Sequence, residues 1–403
     1  MFLSIPGFIS SHITHRTESL FTEDLQRYDV ELSSAIDGKS LLVIGGAGTI
    51  GSSFIRAALR YRPARLYVCD INENGLTELT RDLRSSVGHH IPDDYKTYPV
   101  NFGDPVFEKI LRREGPFDIV ANFAAHKHVR SEKDHYSIEA MIDNNVIRAG
   151  RLLALLSEAP PAHFFCVSTD KAANPVNVMG ASKKLMEEVI LAYSAVMPVT
   201  TARFANVAFS NGSLLAGFIE RLMKRQPLSA PADVRRYFVS PDESGQLCLL
   251  ACILGRSGEI LFPRLQEDQM MTFAEIASAF LREMGYEPDE CATEQEAREK
   301  AACLRPEDRH YPVYYFHSDT SGEKSFEEFY TDTEEIDWNR FHQLGVICNA
   351  PRKSVQEIDD MFSRLHNLFS QSTLDKSAIV RLMQDFIPNF EHIETGKGLD
   401  QKM

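Results

Sequence analysis

The stretch SLLVIGGAGTIGSSFIRAALRY (residues 40–61) restricts what this chain can fold into more than any other. A short apolar run ends in glycines, and an amphipathic helical pattern starts straight after them. Gly45, Gly48 and Gly51 recur at three-residue spacing. One glycine permits a tight turn, one lets the backbone approach a pyrophosphate, and one lets the helix pack closely on the sheet. The first helical residues, Thr49 and Ile50, turn their backbone amides toward the same phosphates, because a helix N-terminus attracts anions. Asp70 ends the second apolar run, 19 residues beyond Gly51. A carboxylate there accepts hydrogen bonds from an adenosine ribose and repels a 2′-phosphate, so the expected cofactor is NAD and not NADP.

The pattern continues to about residue 210. Apolar runs at 40–45, 65–70, 96–102, 117–123, 163–168 and 199–205 alternate with helical stretches such as 137–158. Continuous apolar strands alternating with helices predict an α/β fold, a Rossmann-type doubly wound parallel sheet covered on both faces. VNFGD (100–104) ends the third strand, where Asn101 would meet the adenine edge and Phe102 would cover the ring; a plain strand end fits the same residues. In NFAAH (122–126), the small Ala124 and Ala125 leave room for the nicotinamide ribose.

Beyond 210 the pattern turns helical, at 214–225, 243–255, 272–285 and 292–303, then again at 353–369 and 376–387. The organisation expected is an N-terminal arm (1–36), a NAD-binding domain with the catalytic residues (37–210), a smaller, mostly helical substrate-binding part (211–350) whose later segments may join the sheet, and a C-terminal helical extension (351–403). The arm would pack on the body or over a neighbouring subunit. HYPVYYF (310–316) reads as core or subunit contact. A net charge of −14 opposes a nucleic-acid surface. No run of about 18 apolar residues predicts a membrane span. Seven cysteines without framework spacing predict a reduced, cytoplasmic protein. Cys248 and Cys252 read as one buried helix face and not as metal ligands, and no metal is expected.

The fifth strand ends in VSTDKAANPVNVMGASKK. Thr169, Asp170 and Lys171 stand at its carboxyl end, where open parallel sheets bind ligands. Met179 and Lys183 share a helix face. Many nucleotide-linked redox enzymes carry Tyr-x-x-x-Lys here, and a thioether cannot replace the proton-transferring phenol. Together with GGAGTIGS, NFAAHKHV, RFANVAFSNGS, RRYF and SGEKSFEEF, this segment resembles the extended short-chain dehydrogenase/reductase family. Within that family it resembles the nucleotide-sugar 4,6-dehydratases of bacterial polysaccharide and glycoprotein biosynthesis, in the subgroup with Met in place of Tyr that acts on UDP-N-acetylglucosamine.

The resemblance implies oxidation at carbon 4, water loss across carbons 5 and 6, and hydride return. For that reaction Asp170 is the candidate acid for the departing hydroxyl and Lys171 the candidate base at carbon 5; with Met179 inert, Asp170 is also the candidate receiver of the carbon 4 proton, directly or through Thr169 or a water. Lys171 would need its ammonium destabilised by burial or by a cation such as Lys183. Lys183 holds the nicotinamide ribose, Thr169 binds the carbon 4 hydroxyl, and Met179 packs against the sugar. Lys127 and His128 lie near the sugar, with Arg130 where the family has Pro. Asn206 and Ser213, in the segment that also carries Arg203, serve the diphosphate or sugar, and Arg236 grips the diphosphate while Arg235 is a surface cation. Ala205 replaces a family Gly. Thr320 and Ser321 stand where the family has Arg-Pro before Gly322, which leaves UDP or GDP open. The partners implied are a nucleotide-sugar substrate and further copies of the chain. A structural reading pairs Asp170 with Lys171 as a helix cap. Two other functions remain: an epimerase of the same superfamily, which needs no acid–base pair for water loss, and a non-catalytic dinucleotide sensor, which the missing Tyr would suit.

Overall fold

The computed structural model describes residues 3–319, 321–371 and 374–394. Thr320, the side chain of Arg130 and the tail from 395 lie outside the described residues. Among these residues the main sheet has nine strands. They are β1 (Ser40–Ile44), β2 (Arg65–Cys69), β3 (Asp94–Tyr98), β4 (Ile119–Asn122), β5 (His163–Val167), β6 (Val199–Ala202), β7 (Glu259–Pro263), β8 (Ile336–Asp337) and β9 (Leu344–Ile347). Their order is β8-β9-β7-β6-β5-β4-β1-β2-β3. All pairings from β3 through to β7 are parallel, and β9 lies between β7 and the edge strand β8, antiparallel to both. The strand order reverses between β1 and β4, the place where such sheets leave a crevice at their carboxyl ends. The third strand sits at 94–98, ahead of the 96–102 read from the sequence, because Val100–Phe102 already turn away from the ladder.

Both faces of the sheet are covered, which explains its continuous apolar strands. On one face lie His135–Leu156, a helix with a π-bulge at Asp143–Ile147, and α2 (Val178–Ala192). The other face packs against α1 (Thr49–Leu59) and α3 (Pro241–Leu254). The later half of the chain is therefore not a mostly helical appendage. It returns α3, β7, β8 and β9 to the main body, and its own part holds a parallel three-stranded sheet in the order 287–290, 310–316, 228–231. Tyr311 and Val313 of the central strand are core residues. In α3 every residue from Glu243 to Ile253 except Gln246 is buried, so Cys248 and Cys252 lie in a helix enclosed nearly all round, not on one buried face. All seven cysteines are unpaired. No helix among the described residues is long and apolar enough to cross a membrane.

The N-terminal residues pack on their own chain. Phe8, Ile9 and Ile13 enter the core of the smaller part, and Phe21, Leu25, Leu32 and Ile36 enter the core beneath α1 and α3. Arg16 forks onto Glu243 through two bonds of 2.8 Å, and buried Asp24 accepts from the amides of His342 (2.7 Å) and Gln343 (2.9 Å). At the other end, α4 (Val355–Phe369) and α5 (Lys376–Phe386) lie over α2, burying Ile358, Met361, Leu365, Ile379 and Met383.

The closest helix crossing is that of α3 on α1. A Cβ at Gly245 would stand 2.3 Å from the Ser53 carbonyl and 2.7 Å from the Phe54 nitrogen, backbone atoms that cannot swing aside. Gly245→Ala is therefore expected to lower unfolding free energy by about 1–3 kcal/mol, read as a shift of the denaturant midpoint.

Candidate active site

The glycine turn is built as its spacing suggests, with one addition. Gly45 has φ +75°, and a Cβ there would lie 2.5 Å from the amide of Ala124 on the neighbouring strand end. A Cβ on Gly51 would meet the Gly45 carbonyl at 2.4 Å. Gly46, which the three-residue spacing passes over, is equally confined, 2.3 Å from Val68 Cγ1. Gly48 differs: its Cβ would find only the Gly45 oxygen at 3.5 Å, an ordinary contact. The protein's own packing does not require glycine at 48, so the space beside it is left to whatever approaches α1. No side chain caps α1, which leaves its first amides turned outward as an anion cradle. The Thr49 hydroxyl accepts from the amide of Asn211 (2.9 Å), and Ile50 is half-buried beside it. Asp70 braces the turn, its two oxygens accepting from Ala47 N–H (3.0 Å) and Asn72 N–H (2.9 Å). These residues fit a dinucleotide.

At the adenine end, Asn101 uses its Oδ1 to accept from Gly103 N–H at 2.8 Å, which folds the turn after β3. Phe102 is 5% exposed and packs in the core. Ala124 and Ala125 are half-buried at the end of β4, with the Ala124 amide donating to Asn122 Oδ1 at 3.0 Å. Asn145, on the π-bulge, exchanges two bonds with the backbone of His126 (2.8 and 2.9 Å) and donates to Ser182 Oγ on α2 (3.1 Å). It ties β4's exit to α2, a link no sequence motif announced.

Past β5 the structure gathers three ionisable groups in a nearly dry place. The Asp170 amide donates to the Phe204 carbonyl (3.1 Å), carrying the chain straight on from the strand. Asp170 Oδ1 accepts from the Thr169 hydroxyl (2.9 Å), the Lys171 amide (2.8 Å) and the Lys171 ammonium (3.1 Å). The same ammonium stands 3.6 Å from Glu327 Oε1. Asp170 and Glu327 are each 4% exposed. Burial alone would lower the Lys171 pKa, but Asp170 and Glu327 outweigh it and raise it. The two carboxylates therefore favour the charged form of Lys171, and Lys183 is not the neighbour that sets its charge. Burial raises the Glu327 pKa, with Asp170 adding to the effect and Lys171 opposing it. Glu327 was hidden in SGEKSFEEF as one carboxylate among several.

On α2, Lys183 donates from Nζ to the Val167 carbonyl (2.8 Å), and burial lowers its pKa. Met179 is 3% exposed and packs in the hydrophobic core; its thioether occupies a dry position where a phenol would need a partner. Arg203 is fully buried and serves structure alone. It forks onto Glu187 (2.9 and 3.0 Å) and Glu334 (2.8 and 2.9 Å) and donates to the Phe329 carbonyl.

The remaining candidates divide. Lys127 is exposed and donates to the Asn211 carbonyl (2.8 Å). The His128 ring lies where a Cβ on Gly212 would come within 3.2 Å of it. These contacts bring loops 126–129 and 209–213 together over α1. Asn206 is half-buried, its amide donating to the Tyr237 carbonyl (3.0 Å). Ser213 caps helix Leu214–Met223, accepting from Ala216 N–H at 3.2 Å. Arg236 is buried, and its Nη1 donates to the carbonyls of Arg235 (2.9 Å), Lys324 (3.0 Å) and Ser325 (3.2 Å) while Nη2 stands 3.8 Å from Glu327. In place of an open phosphate clamp, it is the tether that brings Glu327 to Lys171. Arg235 is exposed, as a surface cation should be. A pocket of about 510 Å³ adjoins the cluster only through Glu327, with Tyr237, Phe262, Phe326 and Trp338 among its walls.

Burial pushes the Glu187 carboxyl up, but Arg203 and Lys184 overcome it and hold it down to about 2. A depressed carboxylate stabilises the fold above its unfolded pKa, and that contribution drains away as pH falls toward 2. Glu187→Gln is expected to cost about 3–5 kcal/mol near neutrality and to flatten the acid limb of a stability–pH curve measured by denaturant melts.

A family model described as polysaccharide biosynthesis protein matches residues 41–341. The uncharacterized membrane protein MJ1061 of Methanocaldococcus jannaschii is 30% identical over 267 residues, 64% of this chain and 77% of that protein. The capsular polysaccharide biosynthesis protein CapD of Staphylococcus aureus is 27% identical over 371 residues, 90% of this chain, and this chain spans 56% of its length. Two solved structures share the fold. The dTDP-glucose 4,6-dehydratase DesIV of Streptomyces venezuelae, with NAD and TYD bound, is 23% identical at a TM-score of 0.52 (68% of this chain, 88% of that one). The UDP-glucuronic acid 4-epimerase of Bacillus cereus, with UDP-glucuronic acid and NAD, is 17% identical at 0.54 (73% and 90%). With a sheet, a glycine turn and a β5 terminus of this kind, and a match over most of its length, the chain belongs to the polysaccharide biosynthesis protein family.

Proposed function

We propose that the protein is a nucleotide-sugar 4,6-dehydratase acting on a nucleotide-activated N-acetylglucosamine, with NAD as its cofactor. The observation that carries this reading is the buried set of Asp170, Lys171 and Glu327 at the end of β5. Water elimination needs an acid and a base held together out of solvent; moving a hydride alone does not. The fold is shared with enzymes solved with NAD bound, and the turn around Gly45, Gly48 and Asp70 fits that group. NAD, when bound, supplies a hydride acceptor for carbon 4 of the sugar and a hydride donor for carbon 6.

The chain's own groups manage the protons. The carbon 4 hydroxyl passes its proton through the Thr169 hydroxyl to Asp170 Oδ1, along the 2.9 Å bond already present. Asp170, now protonated, gives that proton to the hydroxyl leaving carbon 6, so water departs with no net proton taken from solvent. Glu327 removes the carbon 5 proton, exchanges it with solvent and returns a proton to the same face, which retains configuration. Its raised pKa makes it a stronger base than an exposed glutamate. Lys171 stays protonated between the two carboxylates and keeps them in place, replacing the role of base that the sequence suggested. Lys183, with its ammonium at the Val167 carbonyl, is the group set to hold the nicotinamide ribose.

A mass spectrum of the sugar nucleotide after incubation, with UDP- and GDP-N-acetylglucosamine tested separately, checks the reaction. Loss of one water from either, without net NADH, is the expected result. An unchanged mass with NAD bound would favour an epimerase or a sensor. Asp170→Asn is expected to abolish both NADH formation and water loss, by at least ~100-fold. Glu327→Gln should still form NADH under single-turnover conditions while losing dehydration by a similar factor. NADH formation by Asp170→Asn would refute its double role.

A further inference from the structure

The loop between Lys171 and α2, residues 172–177, belongs to no sheet, yet it sets the spacing of Asp170 and Lys171 from Lys183. Its carbonyls find donors far away in the chain. Asn389 Nδ2 donates to the Ala173 carbonyl (3.1 Å), the Glu391 amide to Pro175 (3.2 Å) and the Ile393 amide to Val176 (3.0 Å). Residues 389–394 thus run along this loop as a strap, and they lie outside the residues that match the family model.

One carboxylate fastens the strap. Glu132 is 8% exposed. Its Oε2 accepts from Val178 N–H, the first amide of α2, at 2.8 Å, where the helix dipole favours a negative charge. Its Oε1 accepts from His392 Nε2 and stands 3.3 Å from the Lys376 ammonium. Lys376 also pairs with Glu394, which accepts from the Ser321 hydroxyl (2.7 Å). The positive charge that this acidic group requires is thereby supplied by an ammonium. Glu132 connects the end of loop 126–132, the start of α2 and the C-terminal strap.

We propose that Glu132 is a positioning residue which, through His392 and the strap, holds the Asp170–Lys171 loop in its working register. The C-terminal extension is then part of the catalytic apparatus and not only cover for α2. This rests on the reading of Asp170 and Lys171 as proton-handling groups. Neither Glu132 nor His392 needs to touch substrate, so their loss should fall on turnover rather than on binding. Glutamine at 392 retains an N–H at similar reach, whereas alanine does not.

The test uses the full-length protein and compares His392→Ala with His392→Gln in two readouts. One is amide exchange at Glu391, Ile393 and Val178, the N–H donors of the strap and of the Glu132 cap, which reports the strap whether or not the protein is a dehydratase. The other is steady-state kinetics on the substrate that loses water. Expected for His392→Ala is exchange at least about tenfold faster and kcat about tenfold lower, with KM within about twofold of wild type. His392→Gln should restore most of both. Unchanged exchange in His392→Ala would overturn the strap. Faster exchange with unaltered kcat, or a change confined to KM, would overturn its role in positioning. Should the wild-type protein dehydrate no sugar nucleotide, the functional reading fails while the exchange readout still decides on the strap.

Discussion

An ammonium held between two carboxylates with little water around it is the interaction on which this molecule's site depends. Lys171 lies within 3.1 Å of Asp170 and 3.6 Å of Glu327, and both acids are almost fully buried. Desolvating such charges is costly, and the cost is offset only when each is paired and hydrogen-bonded. Much of the surrounding structure serves that need. Thr169 and the Lys171 amide satisfy Asp170, and Arg236 fastens to the carbonyls of 324 and 325 so that Glu327 arrives from the far side. Removing one charge would leave its partners unpaired in a low-dielectric place, which is why these groups act as a unit and why their protons are poised to move among them.

The scaffold was more legible than the site. Strand–helix alternation, the Gly45–Gly48–Gly51 turn and the acid at Asp70 are local signals, each tied to one backbone geometry, and the main sheet follows from them. That later segments could join the sheet was read from the sequence, but not that these would be residues 241–263 and 336–347, because a strand's partner is chosen by packing across the sheet and leaves no mark in its own spacing. The small parallel sheet around 310–316 was hidden for the same reason. Two-sided burial of α3 erased the helical period that would have marked its face.

Within the site, Asp170, Lys171 and Lys183 stand out because they follow a strand end directly. Glu327 does not, since it is more than 150 residues away and becomes significant only when Arg236 folds its loop inward. The same distance hid half of the charge around Lys171: its sequence neighbour suggests one counter-charge, and the fold supplies two. Spacing also placed Met179 on the face of Lys183, and both side chains are buried there, each 3% exposed. Glu132 and His392, 260 residues apart, had no sequence signal that could join them.

The account stands most directly on the fate of the hydrogen at carbon 5. Turnover in deuterium oxide, followed by proton NMR of the product, reads it. If Glu327 takes that proton within the buried cluster and returns a solvent-exchanged one, the 4-keto-6-deoxy product will carry deuterium at carbon 5, with the original carbon 4 hydrogen delivered to carbon 6. A product with carbon 5 fully protonated, or a sugar changed only in configuration at carbon 4, would contradict the role given to Glu327 and, with it, the dehydratase reading.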